Sequence, residues 1–256
     1  MVRKAKKKSL EQGQVTIYII ITVIAVVALI AFTIKMPNKA EFAQLEAEDY
    51  LSDAKADAKA CLDDMLVNVL RDVGDSGRLE FKHPIQLFDG MVETFSIDGE
   101  NLMPSSEELA QEASRQLDEE VTECIAQEWA ERPQRFKTGL GTVKTKITFS
   151  ETHAVVAAKI PLEVTEFGKS YTSEDFSSNI PLRFLTTYRT AETLAGLAQE
   201  DPTKIDPELL LSQPVHVTIK TISPTSYLYE LSDEKSLIDG APYLYRFAVS
   251  YTGEPR

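Results

Sequence analysis

A run of 20 residues without a charge, Val15 to Ile34, constrains this chain more than any other feature. Wound as a helix at about 1.5 Å per residue, such a run is roughly 30 Å long, the hydrocarbon thickness of a bilayer. Its polar-tipped members are Thr16, Tyr18, Thr22 and Thr33. A threonine hydroxyl in a membrane helix bonds the carbonyl one turn back. A soluble helix apolar on every side over this length is rare, so a transmembrane helix is expected over residues 15–35. Arg3, Lys4, Lys6, Lys7 and Lys8 precede the run, and Lys35 and Lys39 are the only basic residues among the 15 that follow it. The excess of positive charge keeps residues 1–14 in the cytoplasm as a basic tail and sends the rest outside the cell membrane. A cleaved secretory signal is the competing reading. Its apolar stretch is shorter, about 7–15 residues, and ends at a small-x-small site, whereas this run ends in Lys35-Met36-Pro37. A retained single-pass anchor is therefore expected, with the lipid bilayer as partner of residues 15–34.

Charge narrows the function classes. The chain holds 40 acidic and 27 basic residues, a net of −13. Residues 1–13 contain five of the basic groups and one of the acidic, which leaves 22 basic against 39 acidic beyond them, a net of −17. Nucleic acid demands a basic face, so it is excluded as a partner. Anionic lipid heads repel an acidic domain, so the external part is expected to stand off the membrane. Two cysteines are too few for a disulfide scaffold or a four-cysteine zinc site.

The junction Gln12-Gly13-Gln14-Val15-Thr16-Ile17-Tyr18 follows a lysine-rich tail and leads into the apolar run. This pattern resembles the class III signal of archaeal type IV pilin-like proteins. The resemblance implies a cut between Gly13 and Gln14 by a prepilin peptidase, after which the apolar helix stays on the protein and packs in a filament core. Pilins usually carry a glutamate five residues after the cut, and Tyr18 stands there in this chain. The same start looks like that of single-pass proteins from small-genome archaea of the DPANN group. The segment Ile238-Asp239-Gly240-Ala241-Pro242-Tyr243-Leu244-Tyr245-Arg246-Phe247-Ala248-Val249 looks like the C-terminal strand of those proteins. The resemblance implies an archaeal, anchored, surface-facing protein and no particular activity.

Past the membrane, Pro37-Asn38 breaks the helix, and Asn38 with Glu41 makes a capping box for a new one. Residues 38–73 hold Phe42, Leu45, Leu51, Ala54, Ala58, Cys61, Leu62, Met65, Leu66, Val69 and Leu70 at spacings of 3 and 4, the stripe of an amphipathic stalk or core helix. Gly74-Asp75-Ser76-Gly77 ends it. Residues 74–256 then form the extracytoplasmic domain. Leu79-Glu80-Phe81 and Thr94-Phe95-Ser96-Ile97 read as short strands, with turns at Asp89-Gly90 and Asp98-Gly99. A second helix starts at Ser105, boxed by Glu108, and ends near Arg132-Pro133. Alternation marks strands around Val143–Phe149, Val156–Val164, Val215–Ile219 and Tyr243–Tyr251, with Pro161 implying an edge or a bulge. A helix spans Thr187–Gln199, and Asp206-Pro207-Glu208 opens a short turn. The expected fold class is α+β, with the long amphipathic helix and the second helix packed on one face of a mainly antiparallel sheet.

The candidate chemistry is sparse. Cys61 and Cys124 lie on the apolar faces of the two long helices and can meet as a disulfide, which an external location permits; two separate buried thiols are the alternative. His83, His153 and His216 lack zinc-ligand spacing and read as solvated. Ser52-Asp53-Ala54-Lys55 and Ser232-Asp233-Glu234-Lys235 match Ser-x-x-Lys, a pattern of little specificity. The acidic clusters Glu46-Ala47-Glu48-Asp49, Asp63-Asp64, Asp118-Glu119-Glu120 and Ser173-Glu174-Asp175 lack the form of a calcium loop and read as solvated faces. Tyr227, Tyr229, Tyr243, Tyr245 and Tyr251 crowd the C-terminal strands, a candidate contact surface if they stand on an outer sheet face. No cofactor, metal or catalytic set is expected. The leading reading is a non-enzymatic anchored domain with a structural or surface-interaction role, in its filament form a pilin-like subunit. Its partner is a protein or a second copy, met through the membrane helix or the external domain. A tethered ligand-binding module is the second reading and a membrane-bound hydrolase a distant third.

Overall fold

The computed structural model describes residues 22–27, 39–131, 137–166, 169–200 and 207–251. It divides into two units, Met1–Asp49 and Tyr50–Arg256. In the first, Thr22–Val27 is helical, and Val23, Ile24, Val26 and Val27 are all more than half exposed. The remainder of the expected membrane helix, the Gly13-Gln14 junction and Asn38, the cap of the expected Asn38–Glu41 box, lie outside the described residues. Among the described residues no helix is long and apolar enough to cross a membrane.

Helix α1 runs Lys39–Ser76, and from Tyr50 onward it belongs to the second unit. Leu51, Ala54, Ala58, Leu62, Leu66, Val69 and Val73 recur every three or four residues, and all are buried. The helix runs three residues past the expected bound at Val73 and ends within the Gly74–Gly77 segment, as expected. It stops at Gly77, whose φ of +81° places the left-handed residue of a helix C-terminus and whose N–H donates to the Val73 carbonyl at 2.9 Å. Neither glycine has room for a side chain. A Cβ on Gly74 would meet the backbone oxygen of Leu244, and one on Gly77 would lie 2.5 Å from that of Arg246. Gly74→Ala and Gly77→Ala are each expected to cost about 1–3 kcal/mol of unfolding free energy. Gly196, inside a later helix with open space around it, is the control: its alanine variant gains up to about 1 kcal/mol. Denaturant midpoints of the three variants test the contrast.

After α1 come β1 (Pro84–Gln86), β2 (Met91–Ile97), β3 (Glu100–Asn101) and helix α2 (Ser106–Glu131). Strands β4 (Lys137–Leu140), β5 (Lys144–Phe149), β6 (Ala154–Glu166) and β7 (Lys169–Ile180) follow. Next stand helices α3 (Phe184–Glu200) and α4 (Pro207–Leu211), then β8 (His216–Ser223), β9 (Ser226–Ile238) and β10 (Ala241–Ser250). Ser105 and Glu108 close the capping box of α2. Ser105 Oγ accepts from the Glu108 N–H at 3.1 Å, and a Glu108 carboxylate oxygen accepts from the Ser105 N–H at 2.7 Å.

The α+β class stands, with a correction to the sheet. Among the described residues the strands form two sheets, not one. The larger has the order β1-β2-β10-β9-β8, with β3 beside β2, and its β2–β10 pair is parallel. In the smaller, β6 is central. It pairs with β7 along one edge, and along the other with β5 through Ala154–Lys159 and with β4 through Leu162–Thr165. Pro161 therefore sits in an interior strand, at the register shift between Lys159 and Leu162. A proline lacks the ladder N–H, and the bulge is where the strand tolerates that. Leu79-Glu80-Phe81 is not a strand. Its neighbourhood spends backbone donors on buried carboxylates instead: Glu80 N–H on Glu112, and the Lys82 and His83 N–H groups on Glu93.

On the small sheet Ala154, Val156, Ala158, Ile160, Leu162 and Val164 point inward and are buried. They meet the helix layer, where Leu117, Val121 and Ile125 of α2 are fully buried and Ser178 of β7 donates to Asp63 of α1 at 2.6 Å. On the large sheet Phe247 stacks between Phe95 and Tyr229 at 4.9 Å from each, and Phe184 of α3 meets Tyr245 edge-on at 5.8 Å.

Candidate functional site

A groove of about 720 Å³ runs between α2 and the outer edge of β5. Its position follows from the pairing of β5, which faces β6 with one edge and leaves the outward N–H groups of Thr145 and Ile147 without strand partners. Side chains of α2 take them. Asp118 Oδ1 accepts from the Thr145 N–H at 2.5 Å, and Ser114 Oγ accepts from the Ile147 N–H at 2.9 Å. In return, Thr145 Oγ1 donates to the Ser114 carbonyl at 3.0 Å. A sheet edge covered in this way resists pairing with another chain. Ala110, Phe149 and Leu185 give the groove apolar surface, and Glu107, Gln111 and Lys146 give it polar walls. Its other charges are spent within the fold: Arg115 pairs with Glu80 at 2.7 Å, and Lys144 Nζ lies 3.8 Å from Asp118. The volume suits a small molecule, but among the described residues no group of three or more His, Cys, Asp or Glu side chains can hold a metal ion.

Cys61 and Cys124 are bridged, with Cα atoms 5.8 Å apart, and tie α1 to α2. Cys61 is buried and Cys124 half-buried. The histidines do not converge. His83 and His216 are exposed, and His153 meets Thr152 in the turn before β6. Ser52 and Lys55 are both exposed on α1. Ser232–Lys235 lies within β9 rather than in a charged turn. The register shifts there, and buried Asp233 accepts from the Lys235 N–H, the Ser236 hydroxyl and the Arg183 guanidinium.

The tyrosine contact surface is overturned for three of its members. Tyr229, Tyr243 and Tyr245 are at most 5% exposed. They lie on the interior strands β9 and β10, on the inward face: Tyr243 and Tyr245 pack against Phe184 of α3, and Tyr229 stacks on Phe247. Burial pushes the Tyr229 phenol up to about 12 and those of Tyr243 and Tyr245 well above their usual value. Tyr245 Oη donates to the Gly77 carbonyl at 3.1 Å, whereas Tyr243 Oη is buried without a hydrogen-bond partner among the described residues. Tyr227 and Tyr251 remain half-buried in an edge-to-face pair, with centroids 6.4 Å apart.

The charged features that sequence reasoning missed surround the end of α1. Arg78 and Glu112 form a buried ion pair. Arg246, 8% exposed, donates through Nε to the Asp75 carbonyl and through Nη1 to Asp89, both at 2.7 Å. That guanidinium, by hydrogen bond and charge, holds the Asp89 carboxyl below the usual range. Burial raises Asp75 despite the same arginine. These contacts clamp the β1–β2 turn and the helix end to β10, a packing role. No family model, curated protein or solved structure matches the chain.

Proposed function

We propose that this chain is a single-pass membrane protein whose acidic α+β domain stands outside the cytoplasm and serves a structural or surface-interaction role rather than a catalytic one. The Cys61–Cys124 bridge carries the reading. Structural disulfides persist in oxidising compartments, and the positive-inside rule, applied to the lysines before Val15, sends the same residues there. The exposed apolar side chains of Thr22–Val27 agree with a lipid-facing helix. Both cysteines are consumed by the bridge, so no free thiol is left as a nucleophile.

The test is fractionation and protease treatment of cells expressing the full chain. It should sediment with membranes, lose its domain to protease added outside, and migrate faster without reductant than with it. A soluble chain, or a domain protected until the membrane is broken, overturns the proposal. Intact mass from the native membrane separates its two forms. Loss of residues 1–13 marks the pilin-like route, and a full-length mass marks a plain tether. The groove beside β5 favours a second reading, a tethered ligand-binding module. It ranks lower because Asp118, Ser114 and Arg115 are already engaged within the fold.

A further inference from the structure

An open strand edge is a template for another strand, and folded domains blunt their edges with short strands, proline, lysine or a covering helix. Most edges of this domain carry such a device. Asp118 and Ser114 of α2 take the outward N–H groups of β5. Strands β1, β3 and β4 are two to four residues long. Strand β8 follows Pro214, carries exposed Lys220 and has the short helix α4 beside it. Strand β7 has none of these. It is 12 residues long and holds neither proline nor lysine between Ser170 and Ile180. Among the described residues β6 is its one strand partner, and no helix runs along its other edge.

The alternation of an antiparallel ladder fixes which backbone groups that edge presents. Thr145 and Ile147 point their N–H groups at α2, so Lys144, Lys146 and Thr148 are the β5 residues bonded to β6, at Lys159, Ala157 and Val155. Ala154, Val156 and Ala158 lie between these on β6 and therefore face β7, at Ile180, Ser178 and Phe176. That leaves Asp175, Ser177 and Asn179 with N–H and C=O groups directed away from the sheet. Their side chains are exposed, and none has a hydrogen bond or ion pair among the described residues. The three are complementary to themselves in reverse. Laid antiparallel against a second copy with Ser177 opposite Ser177, Asp175 of each copy faces Asn179 of the other, a carboxylate acceptor against an amide donor. In the same register Phe176 faces Ser178 and Glu174 faces Ile180, so no like charges stand opposite one another.

We propose that two copies of this chain pair edge to edge, β7 antiparallel to β7 about a two-fold axis at Ser177, so that their small sheets join into one. Main-chain hydrogen bonds supply the affinity, as in other strand additions, and the Asp175–Asn179 pairs supply the register. The contact is isologous, so it closes at two copies and consumes both open edges. A single strand pair buries little surface, and anchoring both copies in one membrane raises their effective concentration and favours it. The proposal rests on the anchored, surface-interaction reading above and names its partner as a second copy.

The test places the full chain in phosphatidylcholine vesicles. Both native cysteines are held in the bridge, so an introduced cysteine is the one thiol that a short crosslinker can join. Ser177→Cys is expected to give a crosslinked dimer and Asn179→Cys to give none. Across the axis residue 177 meets itself, whereas residue 179 lies about 14 Å along the strand from its copy. Sedimentation in detergent micelles should show a wild-type dimer that persists at about 500 mM salt, because screening relieves the repulsion between two acidic domains. Ser177→Pro removes an outward N–H that the fold itself does not use, and should leave a monomer with an unshifted melting midpoint. Asn179→Asp leaves the backbone alone and sets like charges opposite at both ends of the contact. It should weaken the apparent dissociation constant about fivefold. A wild-type chain that stays monomeric, or equal crosslinking at the two positions, overturns the proposal. So does a dimer indifferent to both Ser177→Pro and Asn179→Asp, which marks contact through the apolar helix. A chain that links at residue 177 alone but fractionates away from membranes sinks the anchored reading and leaves the contact standing. A membrane-held chain that does not link there sinks the contact and leaves the anchor.

Discussion

Glu112→Ala is expected to lower the unfolding free energy by about 3–5 kcal/mol, one of the two largest losses foreseen in the domain. Glu112 sits in α2, 5% exposed, and Arg78, 2% exposed, follows the glycine that ends α1. One carboxylate oxygen takes the Arg78 guanidinium and the other takes the Glu80 N–H at 3.2 Å. Removing the carboxylate leaves a guanidinium buried without its counter-charge and a backbone donor without its acceptor. Arg78 Nε already lacks a partner, so the site has no spare acceptor to offer. Arg78→Met with Glu112→Leu removes both charges and fills similar volume, and should recover most of the loss. Denaturant unfolding of the two single variants and the double forms a cycle. Single losses under about 1 kcal/mol, or a double variant as damaged as the sum of the singles, would refute the account.

The residues of this pair show why part of the fold was legible in sequence and part was not. Helices α1 and α2 announce themselves by local means, a stripe at spacings of 3 and 4 and a Ser105–Glu108 box, and both lie where those signals place them. Glu112 falls three residues after Leu109, on the edge of the α2 stripe, which was its only trace; nothing near Arg78 pointed to its burial. Sheet partition is non-local in the same way. The single antiparallel sheet of the sequence reading becomes two, and a parallel β2–β10 pair joins strands separated by most of the domain. Strand period carries no information about partner. On β10, Tyr245, Arg246, Phe247, Ala248 and Val249 are buried in succession, so alternation marked the strand but not which of its residues are covered.

The groove was illegible for a related reason. Asp118-Glu119-Glu120 reads as a solvated helix face, and the three residues in fact divide. Asp118 caps the edge of β5, Glu119 stays in solvent, and burial raises the Glu120 carboxyl. The edge strand β5 takes Asp118, whereas Glu120 turns to Gln116 on the side of α2 that faces Asp72 of α1, and neither neighbour is local in sequence. The lysines of the outer sheet face alternate in plain view at Lys144 and Lys146. Lys159 of β6 faces Lys144 only through the strand register, which is not a local property of the sequence.

Loss of the Cys61–Cys124 bridge is the other large effect, and it bears on location as well as stability. The two cysteines are 63 residues apart in sequence. Closing a loop of that size removes about 4 kcal/mol of denatured-state freedom in the chain-entropy model. Cys61→Ala with Cys124→Ala should therefore lower stability by about 4 kcal/mol. Part of any measured loss is packing, since Cys61 is buried between α1 and its neighbours. Reduction of the wild-type chain separates the two contributions, because it cuts the link and leaves the sulfur atoms in place. The reduced wild type should fall most of the way to the double-alanine variant, with the remaining gap measuring the lost sulfur contacts. A domain with so large a share of its stability in one disulfide folds poorly where thiols are kept reduced. Expression without export should yield a destabilised, protease-sensitive chain, and export should restore it. If reductant leaves the unfolding midpoint where it was, the bridge holds nothing that the helix packing does not, and the stability argument for an oxidising compartment falls with it.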